Sequence, residues 1–144
     1  MRRSLLAAVL AATILFPGAA PAQYAGTFGG TPINAASDNV AAGVATATLP
    51  AVAGKTTHIC GFSITSAGST AAAVVSPTVT NTISGTMTYT YASVAGVTLA
   101  NAPLVVTFSP CLPASAANTT IPVSMPSLGA GNTNTTINAW GFLY

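Results

Sequence analysis

Thr57-His58-Ile59-Cys60-Gly61-Phe62-Ser63-Ile64-Thr65 decides how this chain folds. Alternation puts Cys60, Phe62 and Ile64 on one face and Ile59, Gly61 and Ser63 on the other, the period of two that a half-buried strand requires. The same stretch holds one of the two cysteines and the only histidine. The other cysteine lies in Phe108-Ser109-Pro110-Cys111-Leu112-Pro113, beyond a second strong strand signal. We expect a Cys60–Cys111 disulfide that joins the two elements across a small β-sandwich, stabilising the fold by about 4 kcal/mol on the chain-entropy model. The competing possibility is a pair of buried free thiols. His58 and two cysteines leave no further soft ligand at useful spacing, so neither a metal nor any other cofactor is expected.

Upstream of this stretch the chain begins as an export signal. Met1-Arg2-Arg3 is a short basic region, Leu5 to Phe16 is an apolar run too short to span a bilayer comfortably, and Ala20-Pro21-Ala22 is a small-residue cleavage box. Residues 1–22 therefore read as a secretory signal peptide, 23–42 as an extended N-terminal arm, and 43–144 as a single β-sandwich domain. No later apolar run reaches transmembrane length, so no membrane span is expected after signal removal. The destination is the periplasm, the cell surface or the extracellular space, where a disulfide persists.

Signal removal takes both arginines with it and leaves Asp38 and Lys55 as the only permanently charged side chains. An ordinary domain is about one quarter Asp, Glu, Lys and Arg. A surface this poor in charge has no basic footprint for nucleic acid, no polybasic anchor for lipid and no field to steer a charged substrate. It also resists association weakly, which fits a protein that packs against copies of itself.

The remaining patterning is all β. Gly43 to Leu49 alternates weakly and stops at Pro50; Ala71 to Thr82 is Val- and Thr-rich, with Pro77 implying an edge or a bulge. Thr86 to Ala92 alternates cleanly, with Met87, Tyr89 and Tyr91 on one face and threonines on the other. Leu104 to Ser109, Thr119 to Met125 and Thr135 to Tyr144 complete about eight short antiparallel strands separated by Gly, Pro and Asn turns. That count suits a jelly-roll-like β-sandwich, with a seven-strand immunoglobulin-like sandwich as the alternative.

Reactive constellations are scarce. Asp38 is the only carboxylate side chain, which excludes paired-carboxylate chemistry, and no Gly-x-Ser-x-Gly elbow accompanies His58. We therefore expect no enzyme. Thr78, Thr80 and Thr82, with Thr86, Thr88 and Thr90, resemble ice-binding surfaces in composition, but no repeat supports them and a solvated hairpin face explains them. Asn118-Thr119-Thr120 and Asn134-Thr135-Thr136 match the glycosylation pattern, as a Thr-rich chain does by coincidence. Trp140, Phe142 and Tyr144 share a face of the terminal strand and, placed so near the chain end, must dock to stay ordered. With Tyr89 and Tyr91 they form the candidate interaction surface.

Taken together, Ala53-Gly54-Lys55-Thr56-Thr57-His58-Ile59-Cys60-Gly61-Phe62, Pro110-Cys111-Leu112-Pro113-Ala114-Ser115 and Ala139-Trp140-Gly141-Phe142 resemble a group of small uncharacterised proteins from bacteria and phage-derived gene sets. The likeness covers roughly residues 44 to 144. It implies a β-sandwich with a virion or surface role and no assigned activity. The leading expectation is a non-catalytic exported structural or surface-interaction protein that forms a homo-oligomer, with a trimer among the options. Alternatives are a phage virion accessory (decoration or fibre-like) jelly roll, a pilus- or spore-coat-like subunit, and a module that binds neutral glycans.

Overall fold

Short Val-, Ile- and Thr-rich segments broken by Gly, Pro and Asn cannot sustain helices, and the computed structural model, which describes residues 29–144, contains strands only. They are β1 (Thr31–Ala36), β2 (Ala45–Leu49), β3 (Thr57–Ala67), β4 (Ala73–Val75), β5 (Thr78–Thr82), β6 (Gly85–Thr88), β7 (Tyr91–Ser93), β8 (Leu104–Pro113), β9 (Ile121–Met125) and β10 (Asn134–Leu143). Eight of them form two four-stranded antiparallel sheets, in the orders β1-β10-β3-β8 (sheet A) and β2-β9-β5-β6 (sheet B). The other two, β4 and β7, pair as a separate ribbon. Ten strands replace the roughly eight expected: Ala71 to Thr82 and Thr86 to Ala92 are each divided in two, and β1 comes from the supposed arm.

The pairings are nested: β1 with β10, β2 with β9, β3 with β8, and β5 with β6. The chain is in effect one long antiparallel ribbon, folded so that successive rungs fall alternately in sheets A and B. That wiring is the jelly roll. Its interior is filled by Ala45, Ala47 and Leu49 of β2, Ile59, Phe62 and Ile64 of β3, Val79 of β5, Ile121, Val123 and Met125 of β9, and Ile137 and Ala139 of β10. Each contributes because alternate residues of a strand face the opposing sheet.

Four expectations need correction. Ile59 and Phe62 are both buried, although simple alternation places them on opposite faces. The register of β3 slips between Ile59 and Gly61, and Cys60 is the inserted residue, so the inward phase changes there. The disulfide joins neighbouring strands of one sheet and does not cross the sandwich. The segment Thr86–Ala92 is not one strand: β6 ends at Thr88, β7 starts at Tyr91, and the two lie in different sheets. Finally, part of the supposed arm is a strand, with β1 paired along its whole length to β10. The leader expected over 1–22 and the start of the arm lie outside the described residues.

Pro77 does what its chemistry requires, separating β4 from β5. The terminal strand is docked, as expected, and lies between β1 and β3 as an interior strand of sheet A.

Candidate interaction surfaces

Sheet A carries an outward row of rings. Trp140 is opposite Gly61 on β3 and Asn34 on β1, and Phe142 is opposite His58 and Pro32. Phe142 and His58 stack nearly parallel, with centroids 4.6 Å apart and an interplanar angle of 8°, while Tyr144 approaches His58 edge-on at 6.4 Å. Glycines make this closeness feasible. A β-carbon at Gly61 would lie 2.5 Å from the Trp140 ring, and one at Gly30 would lie 2.6 Å from Phe142. A β-carbon at Gly141 would collide with the His58 carbonyl oxygen. The indole therefore rests on a glycine of the next strand, an arrangement that covers exposed backbone with apolar surface.

His58 is held from two sides. Its Nδ1 donates to the Thr56 carbonyl at 3.1 Å and its ring lies on Phe142. Thr56 in turn exchanges backbone hydrogen bonds with Tyr144 (2.7 and 3.0 Å), which ties the last residue into the sheet. Among the described residues no group of three His, Cys, Asp or Glu side chains could hold a metal ion.

The disulfide sits beside this row. Ile59 and Gly61 of β3 oppose Leu112 and Thr107 of β8, so residues 108–111 form an excursion opposite the bulged Cys60. Cys111 closes that excursion onto Cys60, with the Cα atoms 4.3 Å apart. The bridge thus pins the two strands where their ladder is interrupted.

Of the five candidate surface residues, Tyr91 is placed elsewhere. Tyr91 is 3% exposed, and its hydroxyl meets Ser66 Oγ at 2.8 Å, which also accepts from Asn101 Nδ2 at 2.7 Å. Tyr89 packs edge-on against Phe62, and burial raises its phenol above the ordinary value. Tyr91 belongs to the interior, while Tyr89 is half-buried at the margin of the core. Trp140 and Phe142 are half-buried on the outer face, and only Tyr144, at 67% exposure, stands well into solvent.

Sheet B has a different exterior. Thr46, Ser124, Thr78 and Thr88 lie opposite one another on its four strands and form a row of hydroxyls, with Thr46 and Ser124 in hydrogen-bond contact at 3.0 Å. Two further buried amides organise the loops at one end of the sandwich. Asn132 donates to the carbonyls of Ala67 and Asn134 and accepts from Thr135 Oγ1 and the Ala42 amide; Asn101 accepts from the Val94 amide. Sequence reasoning missed both, since an Asn in a loop of small residues looks like any turn residue.

Neither a protein-family model, a curated protein nor a solved structure matches the chain. A disulfide is compatible with export, and among the described residues no helix is long and apolar enough to cross a membrane.

Proposed function

We propose that the chain is a non-catalytic exported structural or surface-interaction protein that associates with copies of itself. The observation that carries this reading is the character of the surface. Large apolar side chains stand exposed at Val74, Ile83, Val94, Val97, Leu99 and Val105, while Asp38 and Lys55 are the only charged side chains from residue 29 onward. A surface of that kind has little electrostatic repulsion to keep copies apart. The jelly-roll wiring suits the role, because a nested sandwich supplies a rigid block with two broad outer faces. His58, the only histidine, is occupied by a backbone carbonyl and a phenyl ring, which favours a structural part for it.

The test is sedimentation equilibrium of the oxidised mature chain, residues 23–144, over a wide concentration range. A mass that rises above the monomer with concentration is expected; a monomer throughout contradicts the reading. The virion-accessory alternative draws on the same jelly-roll wiring. A pilus-like subunit is disfavoured, because β1 fills its place in sheet A from the same chain and leaves no groove there for a donated strand. A neutral-glycan module keeps support from the outward Trp140 and Tyr144, but loses Tyr91 to the interior.

A further inference from the structure

We propose that β2 is the contact through which two copies join, pairing antiparallel with its own counterpart about a two-fold axis so that sheet B runs on into the partner. The inference rests on the self-association reading above and names its contact. Sheet edges attract other strands unless something blunts them, and three of the four edges of the two main sheets are blunted. β1 contains Pro32. β8 is interrupted by the excursion at residues 108–111 and carries Pro110 and Pro113. β6 is only four residues long and starts on a glycine at φ 76°.

β2 has none of these devices. Its sequence, Ala45-Thr46-Ala47-Thr48-Leu49, contains no charge, proline or glycine, and it keeps regular register with β9 over all five residues. Its other long side is the outer edge of the sheet. Thr46 and Thr48 face outward and Ala45, Ala47 and Leu49 inward, so a paired copy continues both the hydroxyl face and the apolar interior.

Charge selects the direction. Asp38 precedes β2 in a connection held at the start of β10, where the Val40 amide donates to the Thr135 carbonyl and the Ala42 amide to Asn132. Lys55 follows β2 near the other end of β10, where its carbonyl accepts from the Asn118 amide and the adjacent Thr56 pairs with Tyr144. The only two charged side chains among the described residues therefore lie beyond opposite ends of the same edge strand. Antiparallel pairing brings each Asp38 toward the partner's Lys55 at both ends. Parallel pairing would set like against like. A two-fold contact of this kind is self-complementary and closes as a dimer.

Sedimentation equilibrium on the oxidised mature chain tests this, with circular dichroism melts to establish that each variant folds. Thr46→Lys with Thr48→Lys, both at exposed positions, should weaken dimerisation at least about tenfold by placing like charges along the joined edges. Asp38→Lys or Lys55→Asp alone should weaken it about three- to tenfold, and the double exchange should recover it to within about twofold. If the wild type dimerises and the two lysines on β2 leave its affinity unchanged, the contact lies elsewhere and the proposal is overturned while self-association stands. If the double exchange fails to recover what a single reversal lost, the antiparallel arrangement is overturned. If the wild type is monomeric throughout, the proposed function fails together with this contact.

Discussion

The outer faces of the two sheets are made from opposite chemistry. Sheet A shows rings: Trp140 over Gly61, and Phe142 on His58. Sheet B shows hydroxyls: Thr46, Ser124, Thr78 and Thr88. The difference is one of structural dependence. Rings on the outside of sheet A seal backbone that glycine would otherwise leave open, so that face is part of what holds the fold. The hydroxyls of sheet B are solvated, take little from their neighbours, and leave the face and its β2 edge free for other contacts.

The comparison can be broken most forcefully at the disulfide. Replacing Cys60 and Cys111 together by Ser should cost about 4 kcal/mol on the loop-entropy model, read as a lower urea midpoint with a steeper slope, since the unfolded chain without its crosslink is less compact. Next is Gly141→Ala, whose added carbon would collide with the backbone of His58; a loss of about 3 kcal/mol is expected in the same titration. Trp140→Ala should cost about 2 kcal/mol, because it exposes Gly61 and the ladder beneath it. Thr78→Ala and Thr88→Ala on sheet B should each stay within about 0.5 kcal/mol, the range of a solvated surface change. Equal losses at Trp140 and Thr78 would erase the distinction between the faces.

The smallest effect concerns pH. Burial raises the phenol pKa of Tyr89 above its ordinary 10.0, so the folded state retains that proton more tightly than the unfolded chain does. Its contribution is fully present below the unfolded value and is lost as pH climbs through the folded one. Stability should therefore fall above about pH 10, and Tyr89→Phe should flatten that decline. An unchanged alkaline profile in the variant would show that Tyr89 is not the group responsible.

Strands β2 and β9 of sheet B were the most legible: they alternate without interruption, so period two leads directly to their core residues (Ala45, Ala47, Leu49, Ile121, Val123, Met125) and to the hydroxyls of Thr46 and Ser124 outside. In sheet A the same rule fails at one residue. Cys60 is inserted into β3, and alternation carries no mark of an insertion, so Ile59 is assigned to the wrong face. The pairing of two cysteines followed from their number, but their setting in one sheet required the excursion of β8 to be seen. β1 escaped notice because Thr-Pro-Ile-Asn-Ala-Ala has weak strand character of its own. Its conformation is supplied by β10, whose residues lie opposite it throughout. Tyr91 parted from Tyr89 for a related reason: its hydroxyl finds Ser66, a partner no local pattern reveals.

Hydrogen exchange on the oxidised protein (residues 23–144) at low and high concentration tests the central asymmetry most directly. The account predicts strong, concentration-independent protection through β3 and β10, the two interior strands of sheet A, and protection of amides in Ala45–Leu49 that increases only as copies associate. Exchange in Ala45–Leu49 that is identical at both concentrations, while protection of sheet A grows with association, would contradict it.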